Sequence, residues 1–560
     1  MVFEYKGEIF LTDNDLKVTS LGRYPSTEIQ NSELKKYFEG NYGRNFLGGD
    51  EIISHRQALV AKGMSFLGLE DDFIKYIEKG QDIEKAVFDK TATGIGRGHS
   101  LGGLVGVSFG LSGTKMIDSG LTGLTMSRSI TTSGRRRQIK ESDIVVPESI
   151  TKRDDLLDKY LEIAKSAFAE SKKFEEKFGK RGGVESFNKA LPYNNPGDLF
   201  IDLPLDTMAT LAFEVEKDEL NSRGPFLPRE VHSLVKIFPK IAEENGIGVM
   251  YNQRIKVPRG TYFHYNVFKD PTNPNHAIDL AAKNGGTPLN PILLGSKIDF
   301  SPSLFRGIKN LEKILIDTRR IKDPIELAKA ARFCSQAVSE LSSEYNQAVS
   351  ATILDSLSFR VWSEQKRHAT LRQDVESIYS AAFRAIKILK PLWSKIDSSY
   401  NGENKENLPL DEIEKAMVID SKLRKNPELV SSYVYHSAKS LLFFDELVEK
   451  GIPIRDAAFL IPRNTRTINL EQYDFANLIS LELPLRLCET CEPERYETSW
   501  KKRELIANAI PEIKGLLDPK CNVGYCTEEN FCHHIKDLRQ YDKELHDGAK
   551  EEMLKKRPIK

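Results

Sequence analysis

The sequence predicts at least two modules that contain both helices and strands, and three observations support this. The chain has 560 residues, more than one ordinary domain holds. Hydrophobic residues make up 40% of it, which is enough for sizeable cores. Apolar residues at three- and four-residue spacing alternate along the chain with strand-like runs and Pro- or Gly-rich connections.

The elements follow in order from these patterns. Residues 1–90 mix strand-like runs with one helix, and residues 256–304 are rich in Pro, Gly and Asn and indicate a connection between modules. Asp323 and Pro324 begin a long helix, because Asp caps the first turn and Pro suits the first helical position. The other predicted helical regions are 71–79, 153–180, 206–246, 376–395 and 427–450.

Charge and hydropathy exclude several classes of protein. Lys and Arg total 81 and Asp and Glu total 81, so the net charge is zero and a nucleic-acid polymer is not the expected partner. We find no run of about 18 apolar residues, so no membrane span is expected. The start, MVFEYKGEIF, does not have the pattern of a secretory signal, and a cytoplasmic location is expected.

Cysteines are few and unevenly placed. The chain has six, too few for a disulfide scaffold, and its first 333 residues contain none. A C-x-x-C pair followed by later thiols is compatible with structural zinc, although the later spacings are irregular. Buried reduced thiols are the alternative. The candidate zinc ligands are Cys488, Cys491, Cys521, Cys526 and Cys532.

Residues 91–134 are dominated by Gly, Ser and Thr, which is typical of turns or of a loop that binds an anion through backbone N–H groups. Within them GHSLG, residues 98–102, fits the G-x-S-x-G elbow of serine hydrolases, with Ser100 as nucleophile. That elbow requires a preceding apolar strand, and TATGIGR is not one. A structural turn that uses His99 and Ser100, an anion-binding loop and, less favoured, a hydrolase all stay open.

Basic clusters are candidates for phosphate binding. SGRRRQIK contains Arg135 and Arg136, and zero net charge favours a small phosphorylated ligand over a polymer. Arg486 ends a helical pattern, where it is placed to reach a phosphate or simply to pair with Glu482 four residues earlier. The segment 354–379 holds a further cluster, whose alternative is the solvent face of a helix: Arg360, Lys366, Arg367, His368 and Arg372.

Taken together, these motifs resemble those of the flavin-dependent thymidylate synthases, in the long form that holds two related halves in one chain. GRGHSLGGL followed by VSFGLSG resembles the family's G-H-x-S segment leading into a strand. KRHATLRQDVESIY resembles its signature R-H-R-x-x-S-x-N-E-x-S-x-R-Y. FLIPRNTRT with LPLRLCETCEPERY resembles its downstream segment, which ends in a ligand-binding Arg.

The resemblance implies an α+β fold like that of the thymidylate synthase complementing proteins. It has two related halves, each a mixed sheet packed with long helices. We expect an N-terminal half over 1–270, a connecting segment over 271–304 and a C-terminal half over 305–560. Offsets of 232 and 234 residues between similar motifs support a repeat, and a rival register at 258 conflicts with them. Sites would form between the halves, and a homodimer would mimic the family tetramer.

The activity implied is reductive methylation of dUMP to dTMP, with methylenetetrahydrofolate as carbon donor and FAD reduced by NADPH. The resemblance implies flavin contacts by Arg367 and His368, and first-half contacts by His99, Arg135 and Arg136. It implies substrate contacts by Arg372, Ser377 and Arg486; the catalytic residues stay unknown.

The signature departs from the family pattern at several positions. Ala369 replaces an Arg, Arg372 replaces a Ser, and Asp374 and Val375 replace the Asn-Glu pair. A paralogue that binds flavin or a nucleotide without making dTMP is therefore the alternative function.

Overall fold

The structure is a computed structural model that describes residues 2–13, 16–24, 106–121, 128–132, 143–222, 224–256, 272–287, 289–299, 301–366, 370–402, 408–421 and 423–524. The chain forms two compact units. Unit 1 consists of residues 1–266 and 431–463, and unit 2 of residues 267–430 and 464–560. Within the described ranges, no helix is both long and apolar enough to cross a membrane.

Eleven strands are present in the described residues. They are β1 Val2–Tyr5, β2 Glu8–Thr12, β3 Lys17–Tyr24, β4 Gly106–Thr114, β5 Arg128–Thr132, β6 Val145–Val146, β7 Pro196–Pro204, β8 Ile292–Ile298, β9 Val349–Ser358, β10 Arg372–Val375 and β11 Arg466–Asp474.

Helices surround these strands. The α-helices in the described residues are α1 Lys115–Leu121, α2 Glu148–Thr151, α3 Asp154–Phe187, α4 Leu205–Glu219, α5 Arg229–Glu244, α6 Gly248–Arg254, α7 His276–Lys283, α8 Pro302–Thr318, α9 Pro324–Glu344, α10 Phe359–Gln365, α11 Ile378–Leu389, α12 Trp393–Tyr400, α13 Leu410–Ile413, α14 Pro427–Glu449, α15 Ile454–Ala457, α16 Phe475–Ile479, α17 Glu482–Arg486, α18 Pro493–Ala509 and α19 Lys520–Val523. Short 3₁₀ helices cover Lys390–Leu392, Leu423–Lys425, Ala458–Leu460 and Pro511–Leu516.

The described residues of unit 1 form two sheets. A tight turn at Lys6 and Gly7, both with positive φ, joins β1 and β2 into a hairpin, and β6 extends it in parallel. The larger sheet has the order β3-β4-β7-β5 and is antiparallel throughout. Its inner face packs on α4 and α5 through a core of apolar side chains, in which Phe109 and Phe238 lie 5.9 Å apart.

Residues 431–463 belong to unit 1 because they pack on its longest helix. Ser432 donates to Glu170 at 2.6 Å, and Lys439 pairs with Glu162 at 2.8 Å. The later residue of α14 contacts the earlier residue of α3, so the two helices are antiparallel there.

In the part of unit 2 that the structure describes, four strands form a sheet with the order β8-β9-β11-β10, again antiparallel throughout. One face carries Leu354 and Ile468, which pack with Ala281 of α7. The other face packs on a larger core to which α8, α9, α16 and α18 contribute. Asp323 caps α9 by accepting from the backbone N–H of Glu326 at 2.9 Å, as its sequence predicts.

The four-stranded sheets of the two units share one topology. In each, the first, second, fourth and third strands in chain order lie side by side. A β-bulge interrupts the pairing of the first two strands at the same position in the hydrogen-bond ladder, beside Gly22 in unit 1 and Gly295 in unit 2. The match therefore extends to the register of individual residues.

A buried glutamate holds the end of the second strand in each unit. Glu230 of α5 accepts from the backbone N–H and the hydroxyl of Thr114, both at 2.6 Å. Glu494 of α18 accepts from the backbone N–H of Ser358 at 2.5 Å and from its hydroxyl at 2.8 Å. We call each arrangement a strand-end clasp.

Strand order, bulge and clasp define corresponding positions in the two units. Residues of β4 and α1 correspond to those 244 positions later in β9 and α10, since Thr114 matches Ser358. Strands β7 and β11 correspond at 270 positions, and helices α5 and α18 at 264. The offsets of 232, 234 and 258 expected from the sequence are therefore wrong for these elements.

The structure confirms the helices predicted within 153–180, 206–246, 376–395 and 427–450. The predicted connecting segment, 271–304, is wrong as such, because its strand β8 pairs with β9 inside unit 2. The predicted mixed sheets are wrong for the two larger sheets, which are antiparallel, although the α+β content is as expected. The helix predicted at 71–79 lies outside the described residues.

Candidate functional site

The inner face of the unit 2 sheet changes character along its strands. Ala351, Ile353 and Tyr473 lie in the apolar core, whereas Asp355, Asn469 and Glu471 are buried polar side chains further along the same face. Asp355 and Asn469 face each other directly across β9 and β11. The sheet therefore carries carboxylates into the protein interior.

Six charged side chains form what we call the buried charge network. Their side-chain exposure is 2% or less, except for Arg486 at 14%. Because the network holds three carboxylates and three cations, it is neutral overall. Its members are Asp355 of β9, Glu471 of β11, Glu482 and Arg486 of α17, and Arg495 and Lys502 of α18.

Glu471 is the centre of this network. Its Oε2 accepts from Lys502 Nζ at 2.6 Å and from the Tyr473 hydroxyl at 2.6 Å. Arg495 Nη1 donates to Asp355 at 2.8 Å and lies 3.4 Å from Glu471 Oε1. Lys502 also pairs with Asp355. Each carboxylate thus has a cation in contact, as burial of charge requires.

The charges shift each other's proton affinity. Burial alone would raise the pKa of Glu471, but the positive charges of Lys502 and Arg495 outweigh it and bring the pKa to about 2. Burial, reinforced by the Glu471 carboxylate, raises the pKa of Tyr473 well above its usual value. Glu471 therefore stays ionised, and Tyr473 stays protonated, across the physiological pH range.

In unit 1, the layer between the sheet and its helices contains no charged side chains at the corresponding positions. The unit 1 residues at the corresponding positions are all buried and all lie in one apolar core. The network is therefore not a requirement of this fold, since unit 1 has the same strand order, bulge and strand-end clasp without it. In order, Asp355, Gln365, Asn469, Glu471, Tyr473, Arg495 and Lys502 correspond to Leu111, Leu121, Leu199, Ile201, Leu203, Val231 and Phe238.

The network also anchors the loop that carries the signature motif. Gln365, at the end of α10, donates its side-chain amide to Glu471. On the other side of the loop, Thr370 donates its hydroxyl to Asn477 at 3.0 Å, and its carbonyl accepts from the same amide at 3.0 Å. Gln365 and Thr370 are thus tied to β11 and α16, respectively. Arg367 and His368 lie outside the described residues.

The later part of the signature serves the fold. Ser377 caps α11 by accepting from the backbone N–H of Ser380 at 3.1 Å. Glu376 is fully buried, pairs with Arg384 and accepts from the backbone N–H of Ile468 at 3.2 Å. Arg372 is exposed on the edge strand β10. These observations do not bring Arg372 and Ser377 into one site with Arg486.

Arg486 makes the contact that its four-residue spacing predicts. Its Nε donates to Glu482 Oε1 at 2.7 Å. Burial lowers the pKa of Arg486, but the neighbouring Glu482 carboxylate outweighs this and raises it. The arginine predicted to bind a nucleotide is therefore held by a carboxylate of its own helix.

The cysteines are partly described. Cys334, Cys488, Cys491 and Cys521 are free thiols. In the described part of the chain, no group of three or more His, Cys, Asp or Glu side chains is placed to hold a metal ion. Structural zinc is thus without support there, and Cys526 and Cys532 lie outside it. His99, Ser100, Arg135 and Arg136 also lie outside the described residues.

Sequence reasoning missed the main members of the network. Asp355 interrupts the apolar run ATILDSLSF, and Glu471 lies within a segment in which polar and apolar residues alternate. An acidic residue on the inward face of a predicted strand is a usable signal. Lys502 gave none, because KKRE is typical of an exposed helix face.

Curated proteins that match the chain carry the name flavin-dependent thymidylate synthase. The Thermococcus kodakarensis protein is 32% identical over 138 residues, which are 23% of this chain and 56% of the relative. The Pyrococcus abyssi protein is 31% identical over 146 residues, covering 24% and 57%. The Sulfolobus acidocaldarius protein is 24% identical over 182 residues, covering 32% and 64%.

The chain spans little more than half the length of the curated relatives it matches. No protein-family profile matches it. The matches nevertheless confirm the family resemblance predicted from the sequence: this chain is similar to the flavin-dependent thymidylate synthases, at the distance expected of a diverged member.

Proposed function

We propose that this chain is a flavin-dependent enzyme of nucleotide metabolism that methylates dUMP reductively to dTMP. Methylenetetrahydrofolate would supply the carbon, and FAD, reduced by NADPH, would supply the hydride. The observation that carries the proposal is the buried charge network of unit 2. It supports the signature loop through Gln365, and unit 1 has apolar residues at the positions that correspond to its β9, β11 and α18 members. Charged groups retained where the fold does not need them are typical of a functional site.

The chemistry of the donors fits an anionic nucleotide. Guanidinium groups pair with phosphate oxygens through their planar N–H fork. Arg486 and Arg495 each have a buried nitrogen without a hydrogen-bond partner among the described residues. These two residues would hold the phosphate, and Arg367 and His368, by resemblance, would contact the flavin. FAD would supply the redox chemistry when bound.

We further propose that the two units are the related halves of a tandem arrangement. Three features support this: the shared strand order, the bulge at the same rung and the strand-end clasps. Unrelated sheets have no physical reason to agree in all three. By resemblance, two copies of the chain would assemble as a homodimer, which sedimentation at several concentrations tests.

A paralogue that binds flavin or a nucleotide without making dTMP is the second candidate, and a specific observation favours it. Glu482 already neutralises Arg486, and Ser377 is engaged as a helix cap. Two of the three predicted substrate contacts thus have internal partners, and the third, Arg372, lies exposed on an edge strand.

Absorbance spectroscopy of the purified protein separates these candidates. Loading with FAD should give a flavin spectrum, and dUMP should perturb it. Addition of NADPH and methylenetetrahydrofolate should then convert dUMP to dTMP, and chromatography of the products measures this conversion. A perturbed spectrum without dTMP would favour the paralogue. A protein that takes up no FAD would reject the synthase, and one that binds neither FAD nor dUMP would reject both.

A further inference from the structure

Two arginines of the buried charge network have more N–H groups than nearby acceptors satisfy. Nη2 of Arg486 and both Nε and Nη2 of Arg495 are buried and make no hydrogen bond within the residues that the structure describes. The Arg495 side chain is only 2% exposed. Buried donors normally have partners, so three unsatisfied guanidinium nitrogens in one place indicate a missing acceptor.

A carboxylate of the chain itself lies close to both arginines. Glu482 Oε1 lies 2.7 Å from Arg486 Nε and 3.9 Å from Arg495 Nη2. Glu482 is fully buried, so its charge is not screened by solvent. One carboxylate thus neutralises two guanidinium groups without satisfying all of their N–H donors.

A carboxylate and a phosphate present similar oxygens to a guanidinium fork, but a phosphate carries more of them and more charge. With three carboxylates and three cations, the network has no charge to spare for an added anion while Glu482 is ionised. We propose that Glu482 is a built-in competitor in an oxyanion site made by Arg486 and Arg495. The site accepts a phosphate-class anion when the Glu482 charge is removed or displaced.

This inference concerns the Arg486 that the proposed function also uses, but it holds whether or not the chain makes dTMP. Its test uses inorganic phosphate and no flavin, so its failure is distinguishable from failure of the proposed function. Glu482 then sets which ligands reach the arginine pair, and only a ligand with enough additional contacts displaces it.

The test compares denaturant unfolding of wild type and Glu482→Gln with increasing inorganic phosphate, against sodium chloride at equal ionic strength. Tryptophan fluorescence reports on unit 2, because Trp362, Trp393 and Trp500 all lie there. Phosphate should stabilise Glu482→Gln with a half-saturating concentration about tenfold or more below that of wild type. The Glu482→Gln/Arg486→Leu double variant should lose this effect.

Glu364→Gln is the matched control. Arg360 and Glu364 form a pair with the same spacing and the same 2.7 Å separation, at 5% and 15% exposure. Phosphate should not distinguish it from wild type. Equal phosphate effects in wild type and Glu482→Gln, or an effect that survives loss of Arg486, would overturn the proposal. If Glu482→Gln is unfolded without phosphate, phosphate but not chloride should restore the folded fluorescence, and failure to do so overturns it too.

Discussion

The layer between sheet and helix is apolar in unit 1 and charged in unit 2. In unit 1, Phe238 packs on Phe109 within a core of aliphatic side chains. In unit 2, Lys502 occupies the position of Phe238 and contacts Glu471 at 2.6 Å. Buried ion pairs are often no more stabilising than apolar residues of similar volume. The comparison teaches that the fold itself does not require the charges of unit 2.

Removing one charged side chain of the network should lower the free energy of unfolding more than any other change proposed below. Lys502→Met leaves Asp355 and Glu471 buried without their ammonium partner, which costs about 3–5 kcal/mol. Denaturant unfolding followed by tryptophan fluorescence measures this cost in unit 2. A loss below about 1 kcal/mol would mean that the network is hydrated rather than buried.

Replacing the network members of β9, β11 and α18, together with their polar neighbours, by the unit 1 counterparts should cost much less, and the Glu482–Arg486 pair is kept. A grafted variant carries Leu, Leu, Leu, Ile, Leu, Val and Phe in place of Asp355, Gln365, Asn469, Glu471, Tyr473, Arg495 and Lys502. We expect its unfolding free energy to lie within about 2 kcal/mol of wild type, since no charge is left unpaired. The same fluorescence experiment checks it, and a loss larger than that of Lys502→Met would contradict the comparison.

Buried carboxyls of the two units should give opposite pH dependence. Burial raises the pKa of Glu230 from 4.5 to about 8, so above pH 4.5 the folded state binds a proton that the unfolded state has lost. Stability of unit 1 should therefore fall between about pH 5 and 8, by up to about 1.4 kcal/mol per unit. Glu230→Gln should remove this fall, as measured by hydrogen exchange of residues 229–244.

For Glu471 the dependence of stability on pH has the opposite sign. Its pKa is lowered from 4.5 to about 2, because the attraction of Lys502 and Arg495 exceeds the opposing effect of burial. Its contribution is complete above pH 4.5 and is lost as the pH falls toward 2. Unit 2 should thus lose tryptophan-detected stability below pH 4.5. Glu471→Gln should flatten that dependence, and an unchanged profile would argue against the ion pairs.

The strand-end clasps should contribute equally to the stability of both units. Thr114→Val and Ser358→Ala each remove a hydroxyl donor from a buried glutamate, at a cost of about 1–2 kcal/mol. Hydrogen exchange of residues 229–244 measures the first and tryptophan fluorescence the second. Costs that differ by more than about 2 kcal/mol would show that the clasps are not equivalent.

Arg372→Ala should have the smallest effect on stability, within about 0.5 kcal/mol, because the side chain is exposed. If Arg372 contacts the substrate, dUMP should perturb the bound-flavin spectrum only at higher concentration in this variant. An identical titration removes Arg372 from the proposed site.

Local sequence patterns predicted the helices and strands better than they predicted which residues contact each other in the fold. The cap of Asp323 and the periodicity of 153–180 depend on neighbouring residues, and both are as expected. The repeat register failed because segments of different length separate the corresponding strands, so that their offset is 244 in one place and 270 in another. Arg486 was identified from its motif, whereas its neighbour Arg495 depends on contacts across the sheet that no local pattern reveals.

Binding by the grafted variant tests the central claim most directly. The measurement is the absorbance change on adding FAD and then dUMP, in wild type and in the grafted variant, after fluorescence has established that unit 2 is folded in both. We predict that wild type gives a flavin spectrum that dUMP perturbs and that the grafted variant does not. A folded grafted variant that binds FAD and dUMP like wild type would contradict the account, because the charges would then serve neither fold nor ligand.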